Sequence, residues 1–348
     1  MLLEQVNISK PKNIFPFYID FAVTYRCNAK CKHCSINADE NVSKYQKYEM
    51  DTDAILKAID QFSEMGVMLV GLTGGEALLR EDIYEIIDYC HKKGILAAIA
   101  TNGIELTQST IDKLILHKID SIFISLDHHE GKTHDLIRGV DDIFNKAVRS
   151  IKYCISKKVP VTVGITPMKT NYNEIGDTID FIVSLGVTRV NISNFVPTGR
   201  GAKELDLSKE EWKGLYNKLK FYMNKYGNKV RFQIHDVKMN FLLNDEQDTS
   251  DKDYKGCLAG YTHCYILPNG DVQACVMLPI KIGNIMTDQM KMIIEDYQNS
   301  DNVINKNLLT GKCGQCKLKY RCGGCRANAY AYYNEPIAED PHCWIQSQ

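Results

Sequence analysis

Cys27-Asn28-Ala29-Lys30-Cys31-Lys32-His33-Cys34 follows directly on the strand-like run Tyr18-Ile19-Asp20-Phe21-Ala22-Val23-Thr24. Its three thiols stand in the order C-x3-C-x2-C, a spacing from which one loop can wrap them about a single centre. A four-site cluster held there is one protein ligand short. An iron-sulfur cube bound by three thiolates keeps one iron open to a partner that is not protein, whereas a structural zinc site wants a fourth ligand and a closed tetrahedron. The incomplete donor set favours the cube.

Working outward, the rest of the chain is ordinary for a globular protein. With 348 residues, 44% hydrophobic and 24% charged, it can bury a full core and carry a small second domain. A formal net charge of -1 provides no basic field toward phosphate polymers or anionic lipid, despite 42 Lys and Arg, so neither nucleic acid nor membrane is expected as a partner. No charged-then-apolar leader precedes Pro11, and apolar runs such as Val67-Met68-Leu69-Val70 are far too short for a membrane span. The expectation is a cytoplasmic protein.

Thirteen cysteines are many for a reduced enzyme, and their uneven placement argues against a secreted disulfide scaffold. Cys27, Cys31 and Cys34 lead, and eight more crowd the last quarter. Cys90 and Cys154 stand alone, continuing the helical faces of Ile83, Ile86, Ile87 and of Ile143, Ala147, Ile151, which predicts small core hydrophobes.

Strands and helices alternate after a polar stretch from Asn37 to Met50 and an amphipathic helix bearing Ile55, Ile59 and Phe62. Strand-like runs at Val67-Thr73, Ile95-Thr101, Ser121-Leu126, Val159-Ile165 and Val187-Ile192 are separated by helical patterns near 82-93, 108-117, 141-157 and 171-185. With the first strand this makes six β/α units, for which right-handed crossovers predict an open, partial (β/α)6 barrel of parallel strands with functional residues at their carboxyl ends. Ser208-Lys209-Glu210-Glu211 reads as a capping box opening a helix to about Tyr226, and a last strand-like run covers Lys229-Ile234. Beyond it, cysteine and glycine punctuation replaces the alternation, with a short hairpin predicted about Asn269-Gly270. The expected organisation is therefore a barrel over 1-234 and a small cysteine-rich domain over 235-348, with the polar run Asn244-Lys255 as a loop or linker.

The cysteine loop after a first strand closely resembles the signature of the radical S-adenosylmethionine (radical SAM) enzymes. That resemblance implies a barrel whose strand ends hold S-adenosylmethionine. Leu72-Thr73 runs into Gly74-Gly75-Glu76, similar to the motif that grips the methionyl amino group; taken alone, Gly-Gly after a strand is commonly a tight turn. Asn102, Ser125 and Asp127 stand where similar residues hold the ribose, although each of Asn102 and Asp127 could merely cap a helix or close a turn. Arg138 resembles the arginine that pairs the methionyl carboxylate, and Gly164-Ile165-Thr166-Pro167 the segment lining the adenine. His33 occupies the position where the family favours an aromatic residue near that base.

Cys257, Gly270-x4-Cys275, Cys313-x2-Cys316-x5-Cys322-x2-Cys325 and Cys343 closely resemble a SPASM domain, which carries two auxiliary clusters. A zinc ribbon would need a longer gap between its cysteine pairs. The resemblance implies three [4Fe-4S] clusters in all: Cys257, Cys264, Cys275 and Cys325 on the nearer auxiliary cluster, Cys313, Cys316, Cys322 and Cys343 on the farther. Cys322-x2-Cys325 is one residue tighter than is common in the family, and if Cys264 is not a ligand the nearer cluster is open.

The family chemistry implied is reductive cleavage of S-adenosylmethionine to methionine and a 5'-deoxyadenosyl radical that takes a hydrogen atom from substrate, with auxiliary clusters accepting or relaying the electron left behind. A flavodoxin or ferredoxin would supply electrons. Relatives of this architecture favour oxidation or cross-linking of a peptide or protein side chain. Val276 follows Cys275, where sulfatase maturases have a catalytic aspartate, and fewer than thirty residues precede Cys27, too few for a winged leader-binding module. A small-molecule substrate such as a heme precursor is the alternative. A plain iron-sulfur electron carrier is a third reading, which leaves the polar strand ends without a purpose.

Overall fold

The computed structural model describes residues 15–39, 48–244, 256–300 and 305–345. The expected loop at Asn244-Lys255, beyond its first residue, and much of the polar stretch after the first cysteines lie outside them. One ten-stranded sheet organises the described chain, in the order β10-β9-β8-β1-β2-β3-β4-β5-β6-β7. Strands β1 (Tyr18–Thr24), β2 (Leu69–Gly74), β3 (Leu96–Thr101), β4 (Ser121–Ser125), β5 (Val161–Ile165), β6 (Arg189–Ile192) and β7 (Arg231–Ile234) pair in parallel, each with its sequence neighbour. The partial barrel expected from the alternation is present, and the run ending at Ile234 adds a seventh parallel strand.

The helices follow the apolar periodicity. In α1 (Thr52–Glu64), Ile55, Ala58, Ile59 and Phe62 are buried, and Asp51 caps the first turn by accepting from the Ala54 N–H at 2.9 Å. Phe62 meets Phe21 of β1 edge to face at 5.4 Å; burial of such a ring stabilises by roughly 1.5–3 kcal/mol. Helices α2 (Ile83–Lys92), α3 (Gln108–Leu116), α5 (Ile143–Ser156) and α6 (Ile175–Ser184) occupy the predicted segments, and Cys90 and Cys154 are fully buried in the core. A further helix, α4 (Gly131–Arg138), precedes α5. Gly139 ends it in the left-handed conformation at φ 68°, so the chain turns there. The capping box at Ser208 and Glu211 is complete and opens α7 (Lys209–Tyr226), and a short α8 (Val237–Asn244) follows β7.

The sheet continues past residue 235. β8 (His263–Ile266) pairs in parallel with β1 and forms the expected hairpin with β9 (Asp271–Cys275), and β10 (Leu278–Asn284) extends that hairpin. Helices α9 (Met290–Asn299), α10 (Gly311–Gln315) and α11 (Arg326–Tyr333) complete the cysteine-rich region.

Candidate functional site

Because side chains alternate across a strand, one face of the sheet is apolar and packs on the helices while the other is polar. Ile19, Phe21 and Val23 belong to the core. Tyr18 and Asp20 face the other way, the Tyr18 hydroxyl donating to Asp20, and burial lifts the Asp20 carboxyl to about 6. On the same face Asn191 of β6 lies 2.9 Å from the ring of His235. Gly164 leaves room there for Phe123: a Cβ at that glycine would come within 2.1 Å of the ring.

The cysteine loop crosses the carboxyl ends of these strands and is held by backbone contacts. The N–H groups of Lys30 and Lys32 donate to the carbonyls of Arg138 and Ile137 at 3.0 Å, satisfying groups that the last turn of α4 leaves free. From the other side the Arg200 N–H donates to the Cys34 carbonyl at 2.9 Å and the Arg200 Nε to the Cys31 carbonyl at 3.1 Å. Two glycines permit these approaches. A Cβ on Gly75 would lie 2.2 Å from the Arg26 carbonyl, and one on Gly199 (φ 60°) 2.3 Å from that of Cys34.

Two polar groups flank the thiols. Glu76 is fully buried, its Oε2 accepting from the Asn102 N–H at 2.8 Å and its Oε1 from the Leu78 N–H at 3.3 Å. Burial raises its carboxyl to about 7 in spite of these donors, and among the described residues no cation pairs with it. Asn102 reaches on toward the loop, its Nδ2 lying 2.9 Å from Asn28 Oδ1 and 3.9 Å from Cys27 Sγ. In the second group Arg138 Nε donates to Asp127 Oδ2 at 2.7 Å and Nη1 lies 3.7 Å from Cys31 Sγ. Burial would raise the Asp127 carboxyl, but the guanidinium outweighs it and holds that group below its ordinary range. The half-buried His33 stands within electrostatic reach of both, its Nδ1 lacking a partner. Ser125 ends β4 opposite Gly164.

This donor set fits an iron-sulfur cube with one free corner. Burial pushes the Cys27 thiol up to about 12 and also raises that of Cys31, so cluster assembly must expel their protons. The Ala29 N–H, 3.4 Å from Cys27 Sγ, and the Arg138 guanidinium favour the resulting thiolates. No three His, Cys, Asp or Glu among the described residues converge as a single metal ion requires; a cube instead gives each thiolate its own iron. Glu76, buried and charged at neutral pH only at a cost, fits a cationic ligand.

In the carboxyl-terminal region Cys313, Cys316, Cys322 and Cys343 line one cavity. N–H groups point at their sulfurs: Leu318 to Cys316 and Gly324 to Cys322 at 3.4 Å, Asp340 to Cys313 at 3.3 Å. Cys257, Cys275 and Cys325 form a second group, with Cys275 in electrostatic reach of both others. Cys264 is elsewhere, packed in the main core beside Ile19 and Ile266.

Sequence reasoning missed Arg200, Asn28 and Asp20, and also Asn194, whose Nδ2 lies 3.5 Å from Cys325 Sγ. The run Phe195-Val196-Pro197-Thr198-Gly199-Arg200-Gly201 did break the alternation, and its arginine between glycines was the available signal.

Comparison with known proteins agrees with this geometry. Residues 21–182 match the family model of the radical SAM superfamily, and residues 257–325 that of the SPASM iron-sulfur cluster-binding domain. The chain is 29% identical over 340 residues to the AdoMet-dependent heme synthase of Methanosarcina barkeri, covering 94% of this chain and 96% of that protein. The enzyme of the same name from Nitratidesulfovibrio vulgaris is 29% identical over 339 residues, covering 93% and 91%. The PqqA peptide cyclase of Methylocella silvestris is 24% identical over 338 residues, covering 93% and 86%. Among solved structures, Streptococcus suis SuiB bound to S-adenosylmethionine superimposes with a TM-score of 0.74 at 22% identity, over 95% of this chain and 78% of that one. The enzyme anSMEcpe with bound AdoMet gives 0.70 at 18% identity, over 94% of each.

Proposed function

Given that the chain is a radical SAM enzyme ending in a SPASM domain, we propose that it oxidises or decarboxylates a small molecule of the heme-precursor type, using three [4Fe-4S] clusters. Near-complete alignment with two heme synthases supports this substrate class over the peptide favoured by architecture alone. The observation that carries the cofactor half of the reading is Glu76, a carboxylate buried without a cation beside the cysteine loop.

The bound nucleotide and its cluster supply a carbon radical able to take a hydrogen atom. The chain's own residues position and shield. Cys27, Cys31 and Cys34 would hold the cluster, three ligands for four irons, and Glu76 would receive the methionyl ammonium, which would relieve its burial cost. Asn102 fixes Glu76 through its N–H and the loop through its amide. Ser125 would hold the ribose together with Asp127, whose oxygens also accept from Arg138 and from the Thr166 N–H. The Asp127 carboxylate already orients Arg138 through Nε and Nη2, and Nη1, which carries one N–H toward Cys31 Sγ, would offer its second N–H to the methionyl carboxylate. Glycines at 74 and 75 would let the backbone come close, and His33 would cover the adenine. Cys313, Cys316, Cys322 and Cys343 hold the farther cluster. A flavodoxin or ferredoxin is the proposed electron donor.

A peptide substrate is the second reading, supported by the resemblance to the PqqA peptide cyclase. Anaerobic incubation with S-adenosylmethionine, reductant and a propionate-bearing iron porphyrin tests the choice. Loss of carbon dioxide from the porphyrin, read by mass spectrometry together with 5'-deoxyadenosine, supports the small-molecule reading. Nucleoside formation with unchanged porphyrin, in an enzyme that does modify a peptide, overturns it.

A further inference from the structure

We propose that the inner wall formed by β6 and β7 recognises the carboxylates of the substrate: Arg189, Arg231 and His235 bind the rim carboxylates of a flat polycarboxylate whose ring lies against Phe123. The inference rests on the small-molecule reading above and assigns residues to it.

Register brings the wall together. Arg189 pairs with Arg231 and Asn191 with Gln233, and side chains in register share a face of the sheet. Val190, Ile192 and Ile234 belong to the core. Arg189, Asn191 and Ser193 therefore take the opposite face, and in line with them stand Arg231, Gln233 and His235. All six side chains can donate a hydrogen bond, and none is a carboxylate. Asp236, next in the chain, is turned to Lys238 at 2.8 Å, and Asp20 of β1 is engaged by the Tyr18 hydroxyl. Neither arginine has an acidic partner among the described residues. Both are exposed, as are Gln233 and His235. Such a wall is complementary to anions, and guanidinium groups suit carboxylates above all.

Hydrogen bonding fixes the histidine independently of the register. Ser193 Oγ donates to Asn191 Oδ1 at 3.0 Å, which turns the amide nitrogen toward His235 Nε2 at 2.9 Å. Burial holds the imidazole below its ordinary pKa, so at neutral pH the ring accepts at Nε2 and carries its single proton on Nδ1. Nothing among the described residues accepts that proton. The relay presents an oriented donor to an acceptor from outside the chain.

Shape supplies the rest. The half-buried ring of Phe123 lies over Gly164, where a Cβ would come within 2.1 Å of it, and Gly164 pairs with Asn191. An aromatic face thus adjoins the donor wall, as a flat ring with a charged rim requires. From Arg189 to Ser193 the wall runs about 13 Å, a span for several carboxylates on one molecule. At its upper end Asn194 Nδ2 lies 3.5 Å from Cys325 Sγ, so a substrate held here reaches the auxiliary cysteines.

The test is a binding titration of the reconstituted enzyme, without reductant so that nothing turns over. One probe is a propionate-bearing iron porphyrin, and the other is the same porphyrin with its carboxylates converted to primary amides. Visible absorbance of the porphyrin gives both affinities. Arg189→Gln/Arg231→Gln should bind the acid porphyrin about 100-fold more weakly and His235→Phe about 10-fold more weakly, because hydrogen bonds to charged groups are lost. Affinity for the amide porphyrin should change little, and Arg189→Lys/Arg231→Lys should regain part of the loss. Wild-type iron content and S-adenosylmethionine binding show that a variant is folded, and where the glutamine pair fails this the lysine pair decides. Equal loss of both porphyrins, or loss of neither, in folded variants overturns the wall while wild-type affinity keeps the small-molecule reading. Failure of the wild-type enzyme to bind either porphyrin overturns both.

Discussion

The Nζ of Lys238 lies 2.7 Å from Oδ2 of Asp340, a residue 102 positions later, and both side chains are wholly excluded from solvent. Asp236 completes the group at 2.8 Å, and Asp340 Oδ2 also accepts the Cys325 N–H at 2.7 Å. Burial alone would make the ammonium shed its proton, but the two carboxylates outweigh it and hold the lysine charged. One buried ion cluster thus ties the last barrel strand and α8 to the segment between Cys325 and Cys343.

Replacing only the cation should be costly, because it strands two buried carboxylates. Lys238→Met is expected to destabilise the protein by about 3–5 kcal/mol and to loosen the auxiliary clusters. Adding Asp236→Asn and Asp340→Asn should recover a large part of that loss. Chemical denaturation of the three proteins, with iron content, checks both expectations; a triple variant less stable than Lys238→Met would count against the ion cluster as the cause.

Glu76 makes stability depend on pH in an unusual direction. Its folded carboxyl titrates about 7, above its ordinary value of 4.5, so the folded state binds the proton more tightly. The cost of ionising it is absent below the unfolded value, grows as pH rises between the two, and is complete above the folded one. Without nucleotide, Glu76→Gln should raise stability at pH 8 by about 3 kcal/mol and change it little near pH 4.5. The same variant should bind S-adenosylmethionine about 100-fold more weakly, since the ammonium loses its counter-charge. Unfolding curves at the two pH values and nucleotide binding are the measurements.

Gly199→Ala should act on the cysteine loop alone. The left-handed backbone costs a non-glycine residue about 1–2 kcal/mol, and the added Cβ would strike the Cys34 carbonyl. About four irons per chain should be lost, with the auxiliary clusters and circular dichroism retained. Full iron content would mean that the loop yields without losing its cluster.

The cluster sites should also separate by function. Cys31→Ala is expected to abolish 5'-deoxyadenosine formation, while Cys322→Ala spares some uncoupled cleavage and loses substrate conversion. Equal loss of cleavage in two folded variants would show that the sites do not act separately.

The sequence by itself determined whatever local spacing controls. The C-x3-C-x2-C loop after a strand, the alternation that builds the barrel, Gly74-Gly75-Glu76 at a strand end and the terminal cysteine pattern are all readable within short windows. So was the burial of Cys90 and Cys154, because helical periodicity assigns each to a face. Tertiary structure alone decided which distant groups meet. It paired Arg138 with Asp127, brought Arg200 onto the cysteine loop and joined β8 to β1. It also turned Cys264 into the core, on the face away from Cys275. The physical reason is that a strand's register fixes which face each side chain takes, and register is set by the partner strand, here Tyr18–Thr24, more than two hundred residues away in the chain.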